Sequence, residues 1–186
     1  MMHGDDWNGE NVAGWLIAEK FNGCRTYWDG ARLWTRNGNV VRIPGEWQSR
    51  LPALHLDCEI WAGRGGFQAA RLATQYGRFT PAVRLLAFDA NVDGDFVERL
   101  EIVRRVVVGL PFAQAVQHRP CRSTAEALQA MRTVHQDGGE GVIARYPGNR
   151  YQPGRTREIL KLKYRVRKHF LTRSASSSTE TARTRQ

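Results

Sequence analysis

Seven residues, Glu19 to Arg25 (EKFNGCR), crowd an amine, an amide, a glycine and a guanidinium into one short stretch. Farther along, Glu59, Glu140, Lys161 and Lys163 stand in segments that alternate apolar and polar side chains. Any one of them read alone is a polar residue on a wet sheet face. As a set they have a chemistry. Two carboxylates can hold a divalent cation, and two lysines spaced by two project from the same side of a strand, where they can hold phosphates. A lysine beside a tight glycine turn is a candidate nucleophile. A lysine amine attacks only as the free base, and its ordinary pKa near 10.4 leaves about one in a few thousand unprotonated at neutral pH. A reactive Lys20 therefore requires burial, the neighbouring Arg25 or a metal ion to favour the neutral amine. Gly23, lacking a side chain, would let the backbone come close to a phosphate or a base.

The elements that must carry these groups follow from periodicity. GWLIAEK and CRTYWDG read as strands on either side of the Lys20 turn, and ARLWTRNGN as a third with Asn37-Gly38 as its turn pair. ALHLDCEIWA alternates, placing Leu54, Leu56, Cys58 and Ile60 on one face and His55, Asp57 and Glu59 on the other. After the loop at Gly63–Gly66, FQAARLATQ predicts a short helix. VRLLAFDA is an apolar strand. DFVERLEIVRRVVV sets Phe96, Leu100, Val103 and Val107 at helical spacing. STAEALQAMRTVHQ opens with a capping box, Ser123 to Glu126, and predicts another helix. DGGEGVIAR is a glycine turn entering a strand, and EILKLKYR is the last clear strand. Strands joined by short turns, with helices interspersed, predict an α+β fold of antiparallel sheets flanked by helices. From 166 the pattern stops, and a basic stretch rich in Ser and Thr, 166–186, reads as a disordered tail after a single domain at 1–165.

The 186 residues carry a formal charge of +10, which favours a polyanionic partner such as nucleic acid over a solvated basic surface alone. Cys24, Cys58 and Cys121 form no C-x-x-C pair, which argues against a structural zinc site and a disulfide framework. Cys24 and Cys58 read as small packed residues, and Trp28, Trp34, Trp47 and Trp61 as packing. His55, His118, His135 and His169 show no ligand spacing. The acidic, polar N-terminus has no secretory pattern, and no apolar run is long enough to cross a membrane.

The same residues resemble a family. EKFNGCR resembles the K-x-D-G-x-R motif of the covalent nucleotidyltransferases, the superfamily of ATP-dependent DNA ligases, RNA ligases and capping enzymes. LDCEIW resembles their L-D-G-E motif, and FDA, EGVIAR and LKLK resemble the next three, in order. EKFNGCRTYWDG, TRNGN and LDCEIWAGRGGF are similar to the adenylation domain of small bacterial and phage ATP-dependent DNA ligases, over about Trp15 to Tyr164. That resemblance implies the ATP-grasp-like nucleotidyltransferase fold, ATP and Mg2+ or Mn2+ as cofactors, and nicked double-stranded DNA as the partner. It also implies a cytoplasmic, bacterial or phage-encoded protein acting as a monomer without a membrane. Lys20 would attack the α-phosphate of ATP and carry AMP. Glu19, Arg25, Arg36, Glu59, Phe88, Lys161 and Lys163 would form the nucleotide site, with Phe88 stacking on adenine. Glu59 and Glu140 would hold the metal.

Three departures bear on those expectations. Asn22 stands where the DNA ligases have aspartate, and Cys58 where they have glycine. The family continues after K-x-K into an OB-fold domain, and no stretch here has its strand pattern, so a catalytic domain without that clamp is expected. An RNA ligase or RNA end-repair domain is the first alternative, and a non-catalytic nucleic-acid-binding remnant the second. A capping guanylyltransferase fits the motif context less well.

Overall fold

The computed structural model describes residues 1–164. The expected tail, 166–186, lies outside them. Two sheets face each other. The first has five strands in the order β1 (Met2–Asp6), β11 (Gly154–Lys163), β10 (Gly141–Arg145), β2 (Leu16–Lys20), β9 (Arg119–Pro120). The second has six: β5 (Val40–Val41), β4 (Leu33–Thr35), β3 (Cys24–Asp29), β6 (His55–Trp61), β7 (Arg84–Ala90) and β8 (Ala113–Ala115). Helix α4 (Thr124–Gln136) covers the first sheet. Helices α1 (Gly45–Arg50), α2 (Phe67–Tyr76) and α3 (Phe96–Val107) accompany the second.

The inner strand pairs are antiparallel, as expected. One edge pair in each sheet is parallel: β1 beside β11, and β8 beside β7 with α3 as the crossover. The sheets are therefore mixed. The parallel β1 forms from the N-terminal run, whose polar composition carries no strand signal. Gly4 permits that pairing, because a Cβ there would sit 2.4 Å from the Ile159 carbonyl oxygen.

Each sheet buries its outer face under helices. Trp28, Leu56, Cys58 and Ile60 pack with Ala70, Ala73 and Val103 in the larger core, and Ile17, Val142, Leu160 and Leu162 pack with Ala127 and Met131 under α4. A third, small cluster lies between the sheets: Ala18, Leu86 and Val116, with Phe21, Trp61 and Phe88 partly buried against it. Cys58 is fully buried, so where the family pattern has glycine this chain fills its core. Trp28 and Trp47 are buried as packing residues, Trp47 stacking on Phe112 at 4.8 Å.

The caps follow the sequence with one difference. At α4 the Ser123 side chain accepts from the Glu126 N–H at 3.1 Å, but the Glu126 carboxylate returns to the Arg122 N–H instead of the cap. The reciprocal box forms at α3, between Asp95 and Glu98.

Candidate active site

Strand register assembles the site. Opposed residues of antiparallel strands point to the same face. Lys20 faces Gly141, which faces Lys163, and Ala18 faces Ile143, which faces Lys161. These two rows span β2, β10 and β11 and look toward the second sheet. There, Arg25 of β3 opposes Glu59 of β6. On β7 the register shifts: Asp57 opposes Asp89 and Cys58 opposes Ala87, leaving Phe88 between them without a partner. Such a bulge re-aims side chains, and Phe88 turns into the space between the sheets. A cleft of about 480 Å³ results. Lys20, Glu19, Arg25, Arg36, Glu59, Phe88, Lys161 and Lys163 all line it. Glu140 reaches it through ion pairs, its Oε2 2.5 Å from Lys20 Nζ and its Oε1 3.5 Å from Lys163 Nζ.

The surroundings hold these groups in place. Gly23 lies where a Cβ would be 2.3 Å from the Ile60 carbonyl oxygen and 2.9 Å from Glu59 Cγ, and its N–H donates to Glu59 Oε1 at 3.1 Å. The glycine thus admits strand β6 and positions Glu59. Gly141 plays the same part for Glu140, since a Cβ there would be 2.2 Å from the Leu162 carbonyl oxygen. Arg25 is braced by buried Asp57 at 3.0 Å and the Met2 carbonyl at 3.2 Å, and its guanidinium lies over Phe88, 4.3 Å from the ring centre. Asp57, which alternation set on the face of Glu59, is fully buried, and its Oδ2 also accepts from the Tyr151 hydroxyl at 3.1 Å. Glu19 is held outward by Arg64, 3.0 Å away, and Arg64 also reaches Asp137 after α4. Asn22 is exposed on the turn.

The electrostatics suit a polyanion. Burial pushes the Glu59 carboxyl up to about 7 against the opposing pull of Arg25, Lys20 and the Gly23 N–H, and the negative charge of Glu140 adds to the rise. Burial also lowers the Lys161 ammonium, aided by Lys163, Arg155 and Lys20 and opposed by Asp6. Among the described residues no cluster of three or more His, Cys, Asp or Glu could hold a metal by itself. The pair Glu59 and Glu140 fits Mg2+ in its donor chemistry, because that ion keeps waters and takes further ligands from phosphates.

Sequence reasoning missed five cleft residues. Met2 and His3 come with β1, and Arg145, Arg155 and His118 line the wall. Alternation carried the signal for Arg145, two residues from Ile143 on one face, and for Arg155 once β11 is extended back to Gly154. Beneath the cleft, Asp89 is fully buried between Arg99 at 2.8 Å and Arg145 at 2.5 Å. It ties β7 to α3 and β10.

Residues 73–163 match the family described as the ATP dependent DNA ligase domain. A DNA ligase of Haemophilus influenzae is 28% identical over 162 residues, covering 84% of this chain and 60% of its own length. The chain thus spans about three fifths of the length of that curated relative. A structure from a study of DNA binding by Lig E DNA ligases superposes with a TM-score of 0.80 at 26% identity, over 88% of this chain and 68% of that one. The Chlorella virus DNA ligase-adenylate superposes with a TM-score of 0.70 at 22% identity, over 87% of this chain and 66% of that one, a likeness of fold. Residues 73–163 thus resemble an ATP dependent DNA ligase domain, and the described chain shares the nucleotidyltransferase fold of these ligase structures.

Proposed function

We propose that this chain is the catalytic part of an ATP-dependent DNA ligase that seals nicks through an AMP carried on Lys20. The observation that supports this most is the pair of side-chain rows on β2, β10 and β11, which brings one amine, Lys20, beside Lys161 and Lys163 in a cleft whose other wall holds Arg25 and Glu59. In this reading the adenine lies against Phe88 and the apolar patch of Ala18, Val116 and Ile143. The α-phosphate lies between Lys20 and the two lysines of β11. Lys20 Nζ attacks the α-phosphorus in line and pyrophosphate leaves, forming a P–N bond. The AMP then passes to the 5′-phosphate at a nick, and the 3′-hydroxyl displaces it as the phosphodiester forms. Positioning and charge neutralisation dominate such transfers.

Glu140 is the nearest proton acceptor to Lys20. Because Glu140 also reaches Lys163, the lysine pair and the carboxylate can exchange partners as the phosphate arrives. Glu59 and Glu140 are the residues that would hold Mg2+, which supplies charge neutralisation at the phosphates when bound. The basic wall of Arg36 and Arg155 extends the positive surface toward a DNA backbone.

The test is sealing of a nicked duplex carrying a labelled 5′-phosphate, with DNA and RNA strands in parallel and with a pre-adenylylated nick. The reading predicts ATP-dependent sealing of nicked DNA. It also predicts that Lys20→Ala loses sealing of the plain nick but keeps sealing of the pre-adenylylated one. Salt-sensitive DNA binding with no AMP transfer to either substrate would instead identify a binding remnant, and preferential sealing of RNA would identify an RNA ligase.

A further inference from the structure

His118 lines the part of the cleft that Phe88, Val116 and Ile143 make apolar, and no step above uses it. Its ring is fixed twice. Nδ1 lies 3.0 Å from the Val116 carbonyl oxygen, and since a carbonyl has no proton to give, Nδ1 carries the hydrogen and donates it. The ring also meets Phe96 edge-on, with centres 5.1 Å apart. Burial pushes the imidazole down to about 4, the Arg145 guanidinium adding to the shift, so the ring is neutral at physiological pH. In a neutral ring protonated on Nδ1, Nε2 is a bare acceptor. Among the described residues Nε2 has no hydrogen-bond partner.

A fixed acceptor beside the apolar side chains of Phe88, Val116 and Ile143 suits a flat ring carrying a donor on its edge. Adenine presents an N6 amino donor on the edge where guanine presents the O6 acceptor. We infer that His118 Nε2 accepts a hydrogen bond from the N6 amino group of the purine, and so makes the cleft select ATP over GTP. The inference rests on the nucleotide reading given above. With guanine, two lone pairs face each other and both go unsatisfied, which a site built around a hydrogen bond rejects strongly. The sequence hides this role, because a lone histidine followed by Arg119-Pro120 has no motif around it.

The experiment compares ATP, GTP and purine riboside triphosphate, which lacks the amino group, on the wild type, His118→Phe and His118→Gln. It reads equilibrium binding and covalent labelling separately, with a circular dichroism melt of each protein. The wild type is expected to bind purine riboside triphosphate about tenfold more weakly than ATP, one net hydrogen bond, and GTP more weakly still. His118→Phe is expected to lose the difference between ATP and purine riboside triphosphate. His118→Gln keeps it, because an amide oxygen accepts, and gains GTP, because the amide can turn to donate. Equal binding of ATP and purine riboside triphosphate by the wild type overturns the inference, and so does an undiminished preference in folded His118→Phe. Should His118→Phe fail to fold, His118→Gln decides: a folded variant that gains no GTP binding overturns the inference. Failure of the wild type to bind any of the three would overturn the nucleotide reading and the inference together, whereas binding ATP without selecting it overturns the inference only.

Discussion

Asp89→Asn removes one charge from the interior and changes almost nothing else in shape. Asp89 is fully buried, as is Arg99, and Arg145 is 4% exposed. Arg99 has other acceptors, the Gly94 and Asn149 carbonyls at 2.9 and 2.7 Å. Arg145 has none: its hydrogen-bond partner is Asp89 at 2.5 Å, its Nε is unpartnered, and its remaining support is the Phe96 ring 4.3 Å below. Neutralising Asp89 therefore leaves a buried guanidinium without its hydrogen-bonded counter-charge, with only the more distant Asp57 to offset it. Breaking a buried pair in this way costs about 3–5 kcal/mol, against a total stability of about 5–15 kcal/mol for a domain. In a chain of this size that lowers the melting temperature by about 6–20 °C. Urea denaturation followed by tryptophan fluorescence measures it, since Trp28 is buried in the core. The Asp89→Asn/Arg145→Met double variant should recover part of the loss, because removing both charges is far cheaper than stranding one. A loss under about 1 kcal/mol in the single variant, or a double variant as unstable as the sum of the two singles, would refute the reasoning.

Three further outcomes are expected. Gly23→Ala drives a methyl into the Ile60 carbonyl and Glu59, so it should lose about 1–3 kcal/mol of stability and slow AMP labelling as well; unchanged labelling by the folded variant would mean that Glu59 is not positioned through this turn. His118 in the folded chain titrates near 4 and an unfolded histidine near 6.5. Between those values the unfolded chain binds more protons, so this group's contribution to stability is lost as pH falls from about 6.5 to about 4, with a slope of at most about 1.4 kcal/mol per pH unit. Melting of His118→Leu against the wild type at pH 7 and pH 5 should show the wild type losing more on acidification. The raised Glu59 carboxyl works in the opposite sense, destabilising as pH rises from about 4.5 to about 7, and cancels in that difference. Arg64→Ala should cost less than about 1 kcal/mol, because Arg64 is about a third exposed and its pairs are screened; a larger loss in urea denaturation would show that the loop braces the fold.

The sequence reads most clearly where a short period meets a charge. LKLK and EGVIAR each place alternate residues on one face, and two known faces are enough to predict that Lys161, Lys163 and the Lys20 turn converge. Glu59 was legible from the alternation of LDCEIW, and so was the face that Asp57 shares with it, but a period of two separates faces and does not say how deeply each position on one of them is covered. Tyr151, Met2 and Arg25 cover it, and all three come from distant parts of the chain. The bulge at Phe88 is likewise a property of the pairing between β6 and β7, with no local signal in VRLLAFDA. Strand β1 was unreadable because its pairing with β11 depends on close backbone approach at Gly4 and not on its own composition. The parallel edge of that sheet follows from that. Gly23 was singled out for its missing side chain, but only the fold reveals that strand β6 lies against the Cβ side of the turn.

The most direct test of the central claim is peptide mass spectrometry of the protein after incubation with ATP and Mg2+, beside Lys20→Ala treated alike. The account predicts one AMP on the peptide containing Lys20, released by acid as a P–N bond should be and absent from the variant. An AMP on another residue, or none on folded protein that binds ATP, would contradict it.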